Sequence, residues 1–133
     1  MKINQLEKKY NKIMKKSETF NKLYKENSLS KEDVHTNPQG WKILTRSGIE
    51  KIQYNNNIDV SFDIISHELD NVVIKATAYM KNKKMESFGS ATKENCRNTY
   101  KVEMAEKRAL ARVIIKIMGL TKTLGEDEIK YQK

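Results

Sequence analysis

The segment between Ile58 and Ser90 constrains the fold most strongly, because it contains two runs of alternating apolar and polar residues and a third strand-like run. Every second residue from 58 to 64, and again from 72 to 80, is apolar, and a third run extends from Met85 to Ser90. A period of two is typical of strands that have one face toward solvent. Turn-forming segments at 68–71 and 82–84 separate the runs. The pattern predicts a three-stranded antiparallel β-meander whose apolar face must be covered by another element.

The segment Tyr100–Leu120 is long and apolar enough to cover that sheet as a C-terminal helix. On a helical wheel its apolar residues form one broad stripe: Val102, Ala105, Ala109, Val113, Ile117 and Leu120, flanked by Leu110 and Ile114. Three basic residues, which we call the basic row, lie four positions apart along one flank, close to Lys101: Arg108, Arg112 and Lys116. Glu106 falls near the centre of the stripe, where a carboxylate needs a partner, and we predict that it pairs with a basic residue of the body or of a neighbouring subunit, Arg46 being one candidate.

The N-terminal part of the chain follows a different pattern. Apolar residues recur at spacings of three and four in residues 1–26, which predicts an amphipathic basic helix. The polar interval 27–40 holds the single proline and is predicted to be a linker. Ser47 and Glu50 have capping-box spacing and predict a short helix that ends near Gln53. We therefore expect an α+β chain with a core at 41–124 and a C-terminal tail at 125–133.

Composition narrows the possible chemistry. Cys96 is the single cysteine and is accompanied by only His35 and His67, so we expect neither a disulfide nor a zinc site. Asp59 and Asp63 share a predicted strand face, but such carboxylates are more often solvated than bound to a metal. A catalytic nucleophile and base would have to come from Cys96 or a serine with His35 or His67, and His35 lies in the predicted linker, so we expect no enzyme activity, no cofactor and no small-molecule substrate. No phosphate-binding glycine motif occurs, so we expect no ATP-driven mechanism. No apolar run suggests a membrane span or a leader, so we expect a cytoplasmic protein without a membrane partner.

The charge of the chain favours an anionic partner. The formal net charge is +9, which exceeds what solubility requires. Proteins hold single-stranded nucleic acid with cations on its phosphates and aromatic side chains under its bases. The basic row and Lys101 are predicted to line one wall of a groove, and the basic hairpin the other: Lys75, Lys81, Lys83 and Lys84. Tyr79 and Phe88 are candidate stacking residues, although Phe88 taken singly is more typical of a core position.

The order of elements and several short segments resemble a known group of proteins. The segments LTRSGIEKI, VVIKATAYMKN, FGSAT and YKVEMAEKRALARVIIKIMGL are similar to the core of phage-type single-strand annealing recombination proteins, in the superfamily of the Rad-fifty-two-type recombination mediators. The resemblance implies ATP-independent binding and annealing of single-stranded DNA by a ring-shaped or helical homo-oligomer. It also implies a role in recombination and repair in a bacterium or a phage-infected cell. Basic residues of the long helix and the hairpin contact the DNA backbone in that family, and the matching positions are Arg108, Arg112, Lys116, Lys81, Lys83 and Lys84.

Two other functions share the same coarse features. Double-stranded RNA-binding domains also run helix, three strands, helix, but their lysines lead into the last helix, whereas the basic row extends toward its far end. A non-catalytic oligomeric assembly protein would instead bind its partners through the heptad-like N-terminal helix, and its charge would be incidental. The position of the charge therefore favours the annealing hypothesis over the double-stranded RNA hypothesis.

Overall fold

The computed structural model describes residues 19–97 and 99–128, which form a mixed α+β fold. Residues 19–26 are helical and are called α1; residues 1–18 of the predicted N-terminal helix lie outside the described residues. The other elements follow in chain order: β1 (Val34–Thr36), β2 (Lys42–Leu44), α2 (Arg46–Asn55), β3 (Asp59–Glu68), β4 (Asn71–Met80), β5 (Lys83–Thr92), α3 (Lys101–Ile117), β6 (Thr123–Gly125) and the 3₁₀ helix η1 (Glu126–Glu128). The predicted α+β class is confirmed, but the architecture contains more than one sheet.

Strands β3, β4 and β5 form the predicted antiparallel meander, which we call the meander sheet. Asp63 lies opposite Lys75, which lies opposite Phe88, so these three side chains share one face. Two-residue turns join the strands at 69–70 and 81–82. The second turn is shorter than predicted, and β5 therefore begins at Lys83 rather than at Met85. A β-bulge between Ile64 and Ser66 interrupts the alternation of β3.

A second, small sheet corrects the prediction of a single meander. Its strand order is β1-β2-β6, with β2 antiparallel to β1 and parallel to β6. β1 lies within the interval 27–40, so the segment predicted as a linker contributes a strand to the folded body. β6 and η1 likewise place residues 125–128, the start of the predicted tail, in contact with α3. Strands of three residues are too short to show a period in the sequence.

Helix α3 packs on β4 and β5 and also contacts α2, β6 and η1. Its buried residues are Met104, Ala105, Arg108, Ala109, Ala111, Val113, Ile114 and Ile117. Glu106 is exposed, and Arg46 pairs with Glu50 instead, with 2.9 Å between Nε and Oε1. The predicted position of Glu106 within the buried stripe is therefore wrong, although Ala105, Ala109, Val113 and Ile117 of that stripe are buried. The physical reason is that α3 has neighbours beyond the meander sheet, so its buried arc is wider than one stripe and extends to Met104 and Arg108.

Small residues let α3 approach β5 closely. A Cβ atom on Gly89 would lie 2.2 Å from the carbonyl oxygen of Ala105 and 2.3 Å from the backbone nitrogen of Ala109. No side chain fits at this position, which explains the glycine in the FGSAT segment. The close approach brings one flank of α3 to the outer edge of β5.

The buried carboxylate of Asp33 fixes the start of α2. Ser47 donates a hydrogen bond to Asp33 rather than capping the helix, and the N-cap is Thr45, so the predicted capping box is wrong. Lys51 Nζ lies 2.7 Å from Asp33 Oδ2. Burial raises the pKa of Asp33, but hydrogen bonds from Lys51, Ser47 and the Ser30 backbone outweigh it and lower the pKa to about 2. The segment before β1 is thereby attached to α2.

Candidate nucleic-acid interface

The basic row lies against the outer edge of β5. Three hydrogen bonds join the two elements: Arg108 Nη1 to Ser90 O at 2.7 Å, Arg112 Nη1 to Phe88 O at 3.0 Å, and Lys116 Nζ to Glu86 O at 2.9 Å. Four residues of helix advance about 6 Å and two residues of strand about 6.7 Å, so the two spacings match. The row therefore satisfies alternate carbonyl groups of an edge strand, which the sequence analysis did not predict.

Arg108 is an interior residue. Its exposed fraction is 3%, and its guanidinium donates to the backbone carbonyls of Ser90 and Asn95 and to the Asn95 side chain. Its Nε also donates to the carbonyl of Asp127 in η1. Arg108 thus fixes the loop after β5 and the η1 segment onto α3. In this conformation it is not accessible to a phosphate, contrary to its predicted role.

Arg112 is half-exposed and bound by a carboxylate. Its Nε and Nη2 atoms donate to the two oxygens of Glu128, with 3.0 Å between Nη2 and Oε2. The hydrogen bonds that Arg112 donates to Glu128 raise the pKa of Arg112 above its already high ordinary value. The carboxylate thus binds the guanidinium in a bidentate manner. A phosphate can bind the same edge of a guanidinium in the same manner. Glu128 therefore fills the position at Arg112 where a phosphate would bind.

A surface pocket of about 270 Å³ lies beside this ion pair. Arg112, Lys116 and Glu128 line it together with residues of β5 and β6. An ammonium group has three donors, and the Glu86 carbonyl takes one donor of Lys116. One phosphate in this pocket would meet both Lys116 and the guanidinium edge of Arg112 once Glu128 has moved.

The face of the meander sheet away from α3, which we call the open face, carries two exposed aromatic residues. Tyr79 is 46% exposed and Phe88 is 48% exposed, so Phe88 is not a core residue. Lys84 Nζ lies 5.9 Å from the centroid of the Tyr79 ring. Glu86 lies between Lys75 and Lys84 and pairs with both, at 3.5 Å and 3.8 Å. The face therefore combines stacking surfaces with a charge network of mixed sign.

The remaining predicted lysines divide between the two ends of the sheet. Lys81 and Lys83 are exposed at the β4–β5 turn, the end at which Lys116 contacts β5. Lys101 is the first residue of α3 and donates to the Cys96 carbonyl. It lies about 22 Å along the helix axis from Lys116. The structure thus places the hairpin lysines toward the same end of β5 as Lys116, with Arg112 one helical turn away, and leaves Lys101 at the opposite end of α3.

Much of the net charge lies outside this cluster. Residues 1–18 and 129–133 contribute six of the nine net positive charges. The open face itself carries four carboxylates, on Asp59, Asp63, Glu68 and Glu86, beside Lys75 and Lys84. The open face therefore mixes charges of both signs, whereas the exposed side chains of Arg112 and Lys116 lie beside the edge of β5.

Sequence reasoning missed Glu128 as part of this site. The run of three acidic residues Glu126–Glu128 that follows the basic helix was the available signal, since acidic and basic segments of one chain attract each other. The contact itself depends on β6, which turns the chain back toward α3, and β6 is too short for its pattern to reveal it.

Comparison of the chain with models of known protein families and with curated proteins finds no match. Within residues 19–97 and 99–128, no helix is long and apolar enough to cross a membrane. In the same part of the chain, no group of three or more His, Cys, Asp or Glu side chains is arranged to hold a metal ion.

Proposed function

We propose that this chain binds single-stranded DNA without ATP and promotes the annealing of complementary strands, as a homo-oligomer acting in phage or bacterial recombination. The observation that carries the proposal is the position of two exposed aromatic residues, Tyr79 and Phe88, beside a basic sheet edge. The resemblance of the 41–124 segment to annealing proteins supports the same activity.

The strand would run along β5. Phosphates would bind Arg112 and Lys116 at the edge, with further contacts at the hairpin lysines Lys81, Lys83 and Lys84. Bases would stack on Phe88 and Tyr79, because every base has an aromatic face and stacking is tolerant of sequence. Arg108 is excluded from this mechanism because its donors are bound to backbone carbonyls in the interior.

Stacking is compatible with annealing. A base that is held by its face keeps the hydrogen-bonding groups at its edge available, so a second strand can pair with it. Annealing of complementary strands is exergonic, and a protein that only aligns them needs no nucleotide hydrolysis. This step requires no catalytic residue, which agrees with the expectation that the chain is not an enzyme.

The test measures binding of labelled single-stranded DNA by the variant Tyr79→Ala with Phe88→Ala. We expect the affinity to fall about tenfold or more, because each stacked base contributes roughly 1–3 kcal/mol. The matched control is Tyr54→Ala, which removes a tyrosine that is 84% exposed on α2 and should leave binding unchanged.

Two results would contradict the proposal. One is unchanged affinity of the double variant, since stacking would then contribute nothing. The other is preference for duplex RNA in competition with single-stranded DNA, because paired bases cannot stack on side chains and duplex binding would favour the double-stranded RNA-binding function. An annealing assay with complementary oligonucleotides, run without ATP, then separates annealing from simple coating of DNA.

A further inference from the structure

Strand β3 is the other outer strand of the meander sheet. In the described part of the chain it pairs with β4 alone. Its residues Phe62, Ile64 and Ile65 are 37%, 61% and 54% exposed, although Phe62 and Ile64 lie opposite Ala76 and Ile74, two buried residues of β4. α3 covers β4 and β5 and leaves an apolar strip of β3 uncovered. Long edge strands with exposed apolar side chains pair readily with another strand.

The direction of the backbone groups of β3 follows from the contacts of the basic row. Each residue of an antiparallel strand directs its N–H and C=O to the same side, and successive residues alternate. The carbonyls of Glu86, Phe88 and Ser90 point outward to α3. Ser87 and Gly89 therefore bond to β4, at positions Ala76 and Ile74.

The alternation continues across β4 to β3. Since Ala76 and Ile74 bond to β5, Lys75 and Thr77 bond to β3, at Asp63 and Ser61. The residues that alternate with Ser61 and Asp63 in β3 therefore direct their backbone N–H and C=O groups away from the sheet. These residues are Val60, Phe62 and Ile64. The same three residues therefore present both apolar side chains on the α3 side and unpaired ladder positions at the edge.

We infer that β3 pairs with β3 of a second copy of this chain, antiparallel and about a twofold axis at Phe62. The bulge after Ile64 ends the alternation, so a twofold pairing that uses all three outward residues must be centred on Phe62. Phe62 then lies opposite its symmetry mate, and Val60 lies opposite Ile64 of the other copy. The result is a continuous six-stranded sheet with an apolar seam between the two α3 helices.

The charges of β3 agree with this register. Asp63 lies opposite Ser61 of the other copy, so no two carboxylates are directly opposed on the open face, an arrangement that would be destabilising. The β5 edge is a poorer partner, because the basic row already binds its outward carbonyls. A head-to-tail β3–β5 contact would have to displace those bonds, whereas a β3–β3 contact displaces none.

The first test measures molecular mass by light scattering over a range of protein concentrations, without nucleic acid. We expect the wild-type chain to dimerise, and Phe62→Pro and Ile64→Lys each to weaken dimerisation at least tenfold. Proline removes the outward N–H of residue 62 and is tolerated on an edge strand, so circular dichroism should show a folded protein. Tyr54→Lys is the control for replacing an exposed apolar residue elsewhere and should dimerise normally.

The second test fixes the register. The double variant Ser61→Cys with Asp63→Cys places two cysteine pairs across the seam, at positions where antiparallel Cα atoms lie about 4.5 Å apart. We expect oxidation to give covalent dimers, and each single variant to give few. Cys96 is buried and does not compete.

A wild-type chain that stays monomeric at all concentrations would overturn the inference, and so would association that neither edge variant weakens. Occupation of the edge by residues 1–18 of the same chain would give the monomeric result. Because no DNA is present, failure of this inference leaves the proposed DNA binding untouched, and loss of DNA binding leaves this inference standing.

Discussion

The two outer strands of the meander sheet differ in what lies beside their outward backbone groups. At β5, the basic row of α3 donates to the outward carbonyls of Glu86, Phe88 and Ser90. At β3, the outward positions carry exposed apolar side chains, and no other strand of the described chain lies beside them. One edge is closed by side chains of the same molecule, and the other is the edge at which we propose pairing with a second copy.

The comparison explains why one helix is both apolar and basic. Its apolar residues cover the sheet, and its basic residues first serve the backbone of β5. Only part of that charge remains for a ligand: Arg108 is committed to the interior, while Arg112 and Lys116 lie at the surface. A row of cations in a sequence therefore overstates the charge that a nucleic acid can reach.

The largest effect should come from the contact that closes the β5 edge. We predict that Gly89→Ala lowers the free energy of unfolding by about 3 kcal/mol or more, because the new Cβ meets backbone atoms that cannot move separately. The measurement is urea denaturation followed by circular dichroism. Gly40→Ala is the matched control: Gly40 has φ +86° but no atom within 4 Å of a Cβ, so it should cost only about 1 kcal/mol. Equal losses in the two variants would contradict the close packing of α3 on β5.

The meander could be predicted because β3 and β4 repeat a period of two and turn-forming segments separate the three strands. The small sheet could not, because its strands have three residues each and are held by partners distant in the sequence. The exposure of Phe88 was missed for a related reason: the run from Met85 to Ser90 has no clean alternation, and the face of Phe88 is fixed by its register with Lys75.

The candidate site was predicted in part for similar reasons. Basic residues at the hairpin and along α3 are visible in the sequence, and the structure brings Lys83, Lys84, Lys116 and Arg112 to one edge. Whether a member of the basic row faces inward depends on what packs beside it. The loop at Asn95 and the η1 segment enclose Arg108, and neither has a sequence period that would have placed it there.

Substitutions of Arg108 and Arg112 should separate the two roles of the basic row, which are stabilisation of the fold and the proposed binding of DNA. Arg108→Leu should lower the free energy of unfolding by about 3 kcal/mol, because buried carbonyls of Ser90 and Asn95 lose their donor. Arg112→Leu should cost only about 1 kcal/mol but should weaken single-stranded DNA binding and reduce its salt dependence by roughly one phosphate contact. Denaturation and DNA titrations at several salt concentrations measure both effects. The assignment is wrong if Arg108→Leu is the variant that loses DNA affinity while keeping its stability.

The smallest effect concerns the carboxylate that occupies Arg112. If phosphate must displace Glu128, then Glu128→Gln should raise affinity for single-stranded DNA about threefold, because a neutral amide competes less well for the guanidinium. Glu126→Gln makes the same change of charge two residues away, where the carboxylate accepts from the backbone of Arg46, and it should raise affinity less. The comparison of these two variants in DNA titrations removes the general effect of net charge. Equal gains would mean that long-range charge alone acts on the DNA, and that the ion pair between Arg112 and Glu128 only holds η1 against the closed edge of the sheet.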